Sequence, residues 1–178
     1  MFFDIHAHAY RGCCPPADGT TQFATLGEVL ERYDKLDIDR GALLPLIGPE
    51  TYLPQSNEDV FDMCEQSRGR LIPFCNVDPR GMTNDHNAPL GRWLAHYRKR
   101  GCVGIGEVMP NLPFSDARCQ NLFAHAEKAG LPLTFDISDR LGGDYGFYDD
   151  PGLPQLERTL RRFPGLTILG HGPAFWAE

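Results

Sequence analysis

The sequence predicts an α/β protein built on a parallel sheet, and three observations carry that prediction. Short apolar runs alternate with stretches of helical spacing along the whole chain. Each strand–helix unit takes about 30 residues, the size of a βαβ unit. The strands are nearly continuous apolar runs, as parallel strands covered on both faces should be. About six strands and five helices result. There is no low-complexity tract, charge run, internal repeat or linker, so residues 1–178 read as a single domain.

Phe2–Ala7 reads as the first strand. Neighbouring side chains on a strand face opposite ways, so Asp4, His6 and His8 are expected on one side and Phe3, Ile5 and Ala7 on the other. A loop rich in Gly and Pro, Arg11–Gln22, follows. Thr25 and Glu28 make a capping box, and Leu26, Val29, Leu30 and Tyr33 recur on one helical face. Ala42–Ile47 is the second strand, with Pro45 near its end. Ser56 caps a second helix that turns Val60, Met63 and Cys64 inward. Leu71–Val77 is the third strand. Leu90, Trp93, Leu94 and Tyr97 mark a third helix, closed by Gly101. Cys102–Glu107 is the fourth strand. Ser115 or Asp116 opens a fourth helix with Cys119, Leu122, Phe123 and Ala126 inward and Gly130 after it. Leu131–Asp136 is the fifth strand. Leu156, Leu160 and Phe163 face inward from a fifth helix, which Pro164-Gly165 stops. Leu166–His171 is the sixth strand.

The length of 178 residues is enough for a real core. With 24 acidic against 17 basic residues the net charge is -7, which lacks the basic footprint of a nucleic-acid or anionic-membrane binder. No apolar run is long enough to span a bilayer, and no secretory signal precedes the first strand. The six cysteines form no CxxC pair and read as reduced thiols of a cytoplasmic protein. Cys64, Cys75, Cys102 and Cys119 are expected as small buried groups. Cys13 and Cys14 are expected as loop residues near the site proposed below.

Position singles out five polar residues. His6 and His8, Glu107, Asp136 and His171 sit at the C-terminal ends of four different apolar runs. Parallel strands bring those ends to one face, and in a (β/α) barrel that face holds the active site. Imidazoles and carboxylates gathered there suit a divalent metal, Zn²⁺ first, with Mn²⁺ or Fe²⁺ as alternatives. The competing reading, two inward histidines with nothing bound, leaves several ring nitrogens to satisfy. The matching chemistry is attack of a metal-activated water on a carbonyl-type carbon, with a nearby carboxylate or imidazole moving the proton. His86, His96 and His125 read as solvated. Gly104 and Gly106 read as close backbone packing, since no third glycine completes a dinucleotide fingerprint. Arg11 and Arg80 follow strand ends, where they either hold a substrate carboxylate or are surface groups.

Three stretches together carry a resemblance: Asp4-Ile5-His6-Ala7-His8, Gly104-Ile105-Gly106-Glu107, and Ile168-Leu169-Gly170-His171-Gly172 with Pro173-Ala174-Phe175-Trp176 behind it. In that order and spacing the chain resembles the amidohydrolase superfamily. Within it, the chain is most similar to the amidohydrolase-related metal-dependent hydrolases that share a fold with aromatic-acid decarboxylases. The resemblance implies a (β/α)8-type TIM barrel, incomplete here at about six parallel strands. It implies His6, His8, Glu107 and His171 as metal ligands, and Glu107, Asp136 and His171 as catalytic groups. The substrate would be a small molecule with a C–N or C–O bond to cleave. Two departures stand out. Asp136 takes the place of a metal-binding His usual at the end of strand five, so it either coordinates in a more oxygen-rich site or stays outside it. Strands seven and eight, with the proton-transfer Asp of the eighth, have no counterpart. A truncated barrel with open edges is therefore expected to self-associate. Three other readings remain: a decarboxylase on the same scaffold, a non-catalytic remnant or binding module, and a TatD-like deoxyribonuclease. The acidic balance and the Gly-His-Gly-Pro ending weigh against the last.

Overall fold

A computed structural model describes residues 2–12, 23–51, 55–138, 140, 142–143 and 146–171. Cys13, Cys14, Gly172 and Pro173-Ala174-Phe175-Trp176 lie outside the described residues. The chain runs β1 (Phe2–Ala7), α1 (Leu26–Lys35), β2 (Ile38–Leu43), α2 (Asn57–Gln66), β3 (Leu71–Pro73), α3 (Gly91–Lys99) and β4 (Ile105–Val108). It continues through α4 (Ala117–Ala129), β5 (Leu133–Phe135), β6 (Ile137–Ser138), β7 (Phe147–Tyr148), α5 (Pro154–Arg162) and β8 (Ile168–Gly170).

Local chemistry sets the helix starts. Thr25 and Glu28 exchange side-chain and backbone hydrogen bonds ahead of α1, and Ser56 and Asp59 do the same ahead of α2. Asp116, not Ser115, caps α4, and Gly130 ends it in the left-handed region at φ 64°.

β1, β2 and β3 form one parallel sheet and β4, β5 and β8 another. Cys75 joins them. It bridges to Ile105 in parallel, its N–H donates to Gly104 O at 3.0 Å, and its carbonyl accepts from Gly106 N–H at 2.7 Å. The spatial order is thus β1-β2-β3-β4-β5-β8, with a helix in each connection, which is part of a (β/α) barrel.

The core has an inner and an outer part. Ala42, Leu44 and Phe74 pack inside the sheet with Ile72 and Leu169. Leu43 and Leu71 alternate with them and meet Val29, Tyr33, Val60 and Met63 of α1 and α2. The largest cluster lies under α3, α4 and α5. There Phe114 stacks on Phe147 with centroids 4.7 Å apart and meets Phe135 edge-on at 5.2 Å. Inside the barrel Gly104 makes room for Phe74, since a Cβ at 104 would stand 2.3 Å from Phe74 Cε2.

Several boundaries and faces differ from those read in the sequence. β2 begins at Ile38 rather than Ala42 and ends at Leu43, because Pro45 has no N–H for a ladder. β3 stops at Pro73, β4 runs only from Ile105 to Val108, and β5 spans only Leu133–Phe135. Leu160 is 41 % exposed, and buried Thr159 takes its place, donating its hydroxyl to Gln155 O at 2.9 Å. On a 100° helical wheel Leu156, Thr159 and Phe163 share a stripe from which Leu160 is rotated. Trp93 sits on the outer side of α3 against Gly81. The short β6–β7 pair has no counterpart in the sequence reading. On β1, Phe2, Phe3 and Ile5 are exposed, Ile5 by 60 %. Among the described residues β1 pairs only with β2, and β8 only with β5.

Gly104→Ala forces a Cβ into the Phe74 ring, a cost of about 1–3 kcal/mol for overpacking. The melting temperature should fall by about 2–4 °C for each kcal/mol, and Phe74→Leu in the same chain should restore part of it. Calorimetry of the two variants checks this.

Candidate metal centre

His6 and His8 reach the C-terminal face of the sheet together, as their spacing predicts, but Asp4 does not join them. The β1–β2 register shifts between Asp4 and Ala7, which breaks the simple alternation of faces. Asp4 turns to α1, where Oδ2 accepts from Tyr33 O–H at 2.9 Å while Oδ1 accepts from His6 N–H at 3.0 Å. Burial and the Asp4 carboxylate hold the Tyr33 phenol far above its ordinary range.

Glu107 comes from β4. Gly106 before it has φ 139°, and a Cβ there would stand 2.6 Å from Thr134 O, so only glycine fits. Backbone contacts fix the next residue. Glu107 N–H donates to Pro45 O at 3.2 Å, and Asn76 Nδ2 donates to Glu107 O and, at 3.1 Å, to Pro45 O.

The carboxylate of Glu107 faces three imidazoles. Oε2 lies 3.2 Å from His6 Nε2 and 3.2 Å from His8 Nε2, and Oε1 lies 3.2 Å from His171 Nδ1. His6 Nε2 and His8 Nε2 are 2.9 Å apart. The His6 and His171 rings stack with centroids 4.1 Å apart. Donor atoms of His6, Glu107 and His171 all lie within 4.8 Å of one another.

With neutral imidazoles, the form that ligates a metal, the hydrogens do not suffice for this cluster. His8 Nδ1 is 2.8 Å from Leu44 O and must donate to it, which leaves Nε2 of the neutral ring an acceptor. His171 Nδ1 is buried and makes no hydrogen bond among the described residues despite its nearness to Glu107. Both carboxylate oxygens are acceptors as well. One hydrogen at His6 Nε2 cannot serve them all. Converging lone pairs are what a cation satisfies, and two ligands about 2.0–2.2 Å from one ion stand about 3.0–3.5 Å apart. The donor set and spacing therefore fit a divalent metal.

The Glu107 side chain is 4 % exposed and that of His171 43 %. Burial pushes the Glu107 carboxyl up, but without a metal the hydrogen bonds of His6 and His8, and their charge when protonated, more than reverse this and hold it well below the usual range. Asp136 lies to one side. Its Oδ2 is 3.5 Å from His171 Nδ1 and its Oδ1 accepts from Ile137 N–H at 2.8 Å. Burial, with the Glu107 charge against the pull of Ile137 and His171, raises its carboxyl.

The arginines considered as substrate ligands are occupied. Arg11 pairs with Asp59 at 2.6 Å and with Asp62. Arg80 forks onto both Glu50 oxygens at 2.6 Å and also binds Asp78 at 2.6 and 2.8 Å. Glu50 in turn accepts from Asn111 N–H at 3.3 Å, and the Asn111 side chain bonds Gly142 N–H at 3.1 Å and Gly143 O. These contacts latch the loops after β2, β3, β4 and β6 into one rim. His86 and His96 are exposed, and half-buried His125 packs against Gly91. Sequence reasoning missed Asn76 and its partner Asn57. The strand-end position that singled out Glu107 and Asp136 also applies to Asn76.

The fold is shared with solved TIM-barrel structures. A protein of Acinetobacter baumannii described as a probable 2-pyrone-4,6-dicarboxylic acid hydrolase superposes with a TM-score of 0.61 at 15 % identity, over 95 % of this chain and 57 % of its own. A TIM-barrel protein of Bordetella bronchiseptica gives 0.57 at 16 %, over 82 % and 50 %. A 5-carboxyvanillate decarboxylase mutant of Novosphingobium aromaticivorans, with bound manganese and a nitrobenzoic acid, gives 0.58 at 16 %, over 83 % and 50 %. The chain thus spans between half and two thirds of the length of these structures. No family model and no curated protein matches its sequence. At such identities the likeness establishes the architecture: an incomplete (β/α)8 barrel.

Glu107→Gln tests the carboxylate. The amide keeps the shape but gives up a carboxylate whose ionised form the folded protein favours, so the metal-free variant should melt lower than the wild type at neutral pH. Its retention of metal should fall at least about tenfold. Melting curves with chelator and elemental analysis without it check the two halves.

Proposed function

We propose that the chain is a metal-dependent hydrolase of the amidohydrolase type, acting on a C–N or C–O bond of a small molecule. The observation that carries this reading is the set of lone pairs that, with neutral imidazoles, converge around Glu107 with too few hydrogens between them. His6, His8, Glu107 and His171 would hold the cation. Zn²⁺ suits the imidazoles, while Mn²⁺ or Fe²⁺ also suits the carboxylate. Bound there, a divalent ion supplies Lewis acidity and makes a water acidic near neutral pH.

The chain's own groups do the rest. Leu44 O keeps the His8 proton on Nδ1, so Nε2 stays available. Glu107 is held ionised, so both of its oxygens offer a charged donor. Asp136, its carboxyl raised, stands beside His171 and can take up and return a proton at Oδ2. His171 is the open member of the cluster, where a substrate would first meet it. Manganese in a decarboxylase of the same fold favours decarboxylation as the second reading. Buried thiols at Cys64, Cys75, Cys102 and Cys119 suit a reducing cytoplasm. Among the described residues no helix is long and apolar enough to cross a membrane. A second copy is proposed to pair along β1, where Phe3 and Ile5 are bare.

Replacing both His6 and His8 by Ala should abolish metal retention and leave the far-UV circular dichroism unchanged. Equal metal content in that variant by elemental analysis overturns the assignment. CO₂ release assayed against ester, amide and lactone hydrolysis separates the two reactions. Sedimentation velocity should show concentration-dependent association that Ile5→Lys weakens.

A further inference from the structure

Asn76 is buried in the extended segment after β3, and its hydrogen bonds form a relay. On its backbone side, Asn57 at the start of α2 grips both polar groups. Asn57 Oδ1 accepts from Asn76 N–H at 2.7 Å, and Asn57 Nδ2 donates to Asn76 O at 3.0 Å. On its side-chain side, Nδ2 donates to Pro45 O at 3.1 Å and to Glu107 O. Pro45 O accepts in addition from Glu107 N–H. Both backbone groups of Glu107 are therefore held, one by the tip of β2 and one by the Asn76 amide.

The other end of that amide is unsatisfied. Asn76 Oδ1 is buried and has no hydrogen-bond partner among the described residues. Its orientation is set by the donor end alone, because both neighbours are carbonyls and only an NH₂ group can face them. Buried acceptors are ordinarily paired. Here that requirement is given up while both donors stay engaged, and one of them ends on the residue whose carboxylate faces His6, His8 and His171.

We infer that Asn76 is a positioning residue for the metal centre. It fixes the Glu107 backbone so that the two carboxylate oxygens meet the imidazoles on either side. The inference rests on the reading of that cluster as a metal site. A residue that only braces the strands would lower stability and leave the affinity of the folded protein alone. A positioning residue changes the affinity and the ligand geometry.

The test uses the full chain with Zn²⁺ and Co²⁺ as probes. Asn76→Asp keeps the shape but sets carboxylate oxygens against two carbonyls. Asn76→Ser is neutral and smaller, and decides the matter if Asn76→Asp does not fold. Leu122→Ala, on the buried face of α4, supplies a loss of stability without touching the relay. Zn²⁺ affinity, read by competition with a chromophoric chelator, should fall about 10–100-fold in the Asn76 variants. The visible bands of the Co²⁺-loaded protein should shift, and Leu122→Ala should keep wild-type affinity and bands. Asn76 variants with wild-type affinity and bands, however low they melt, overturn the inference and leave the metal centre standing. A wild-type chain that takes up neither ion overturns the metal centre, and this inference with it.

Discussion

The constraint on which the structure depends is an ionised carboxylate, Glu107, sunk beneath three imidazoles. Taking such a charge out of water costs several kcal/mol unless its oxygens are met by partners of matching chemistry. The barrel meets that demand with the ends of its strands. The tip of β2 offers Leu44 O to orient His8 and Pro45 O to hold Glu107 N–H. Thr134 of β5 packs against Gly106, and Phe135 O accepts from His171 N–H at 3.1 Å. His8 and Glu107 are therefore braced by the tip of β2, and His171 by β5. Only strands that run the same way can present carbonyls and side chains at one level like this.

The packing beneath the site is less particular. Phe74 fills the inside of the sheet because Gly104 yields the space, and Phe114, Phe135 and Phe147 tile the outer core. Cores of this kind accept many apolar sequences of similar volume. That is the physical reason proteins at 15 and 16 % identity superpose on this chain with TM-scores near 0.6. Shape at this level does not carry a reaction with it; the reaction belongs to the groups at the strand ends.

Much of this was legible in the sequence. The alternation of apolar runs and helical spacing gives the parallel α/β architecture, and the capping box at Thr25 and the cap at Ser56 mark helix starts to the residue. His6, His8, Glu107, Asp136 and His171 do meet on one face, because a strand-end position follows directly from the pattern. What stayed hidden depends on contacts between distant segments. Asp4 leaves its expected side through a register shift. Arg80 is claimed by Glu50, 30 residues away. The Asn57–Asn76 relay has no motif, since asparagines are commoner in turns than in buried networks. Leu160 misleads because its partner Thr159 buries a hydroxyl that composition would place outside.

The latch from Arg80 through Glu50 and Asn111 to Gly142 and Gly143 has a consequence for traffic into the barrel. Those contacts tie down the loops over β2 to β6, so one half of the mouth is a fixed wall. The tie extends to the end of β1, where Gln55 Nε2 donates to Ala9 O at 2.8 Å and Gln55 Oε1 accepts from Leu46 N–H at 2.9 Å. Of the three imidazoles, His171 at the end of β8 is left most open to solvent, 43 % exposed against 18 % for His6 and His8.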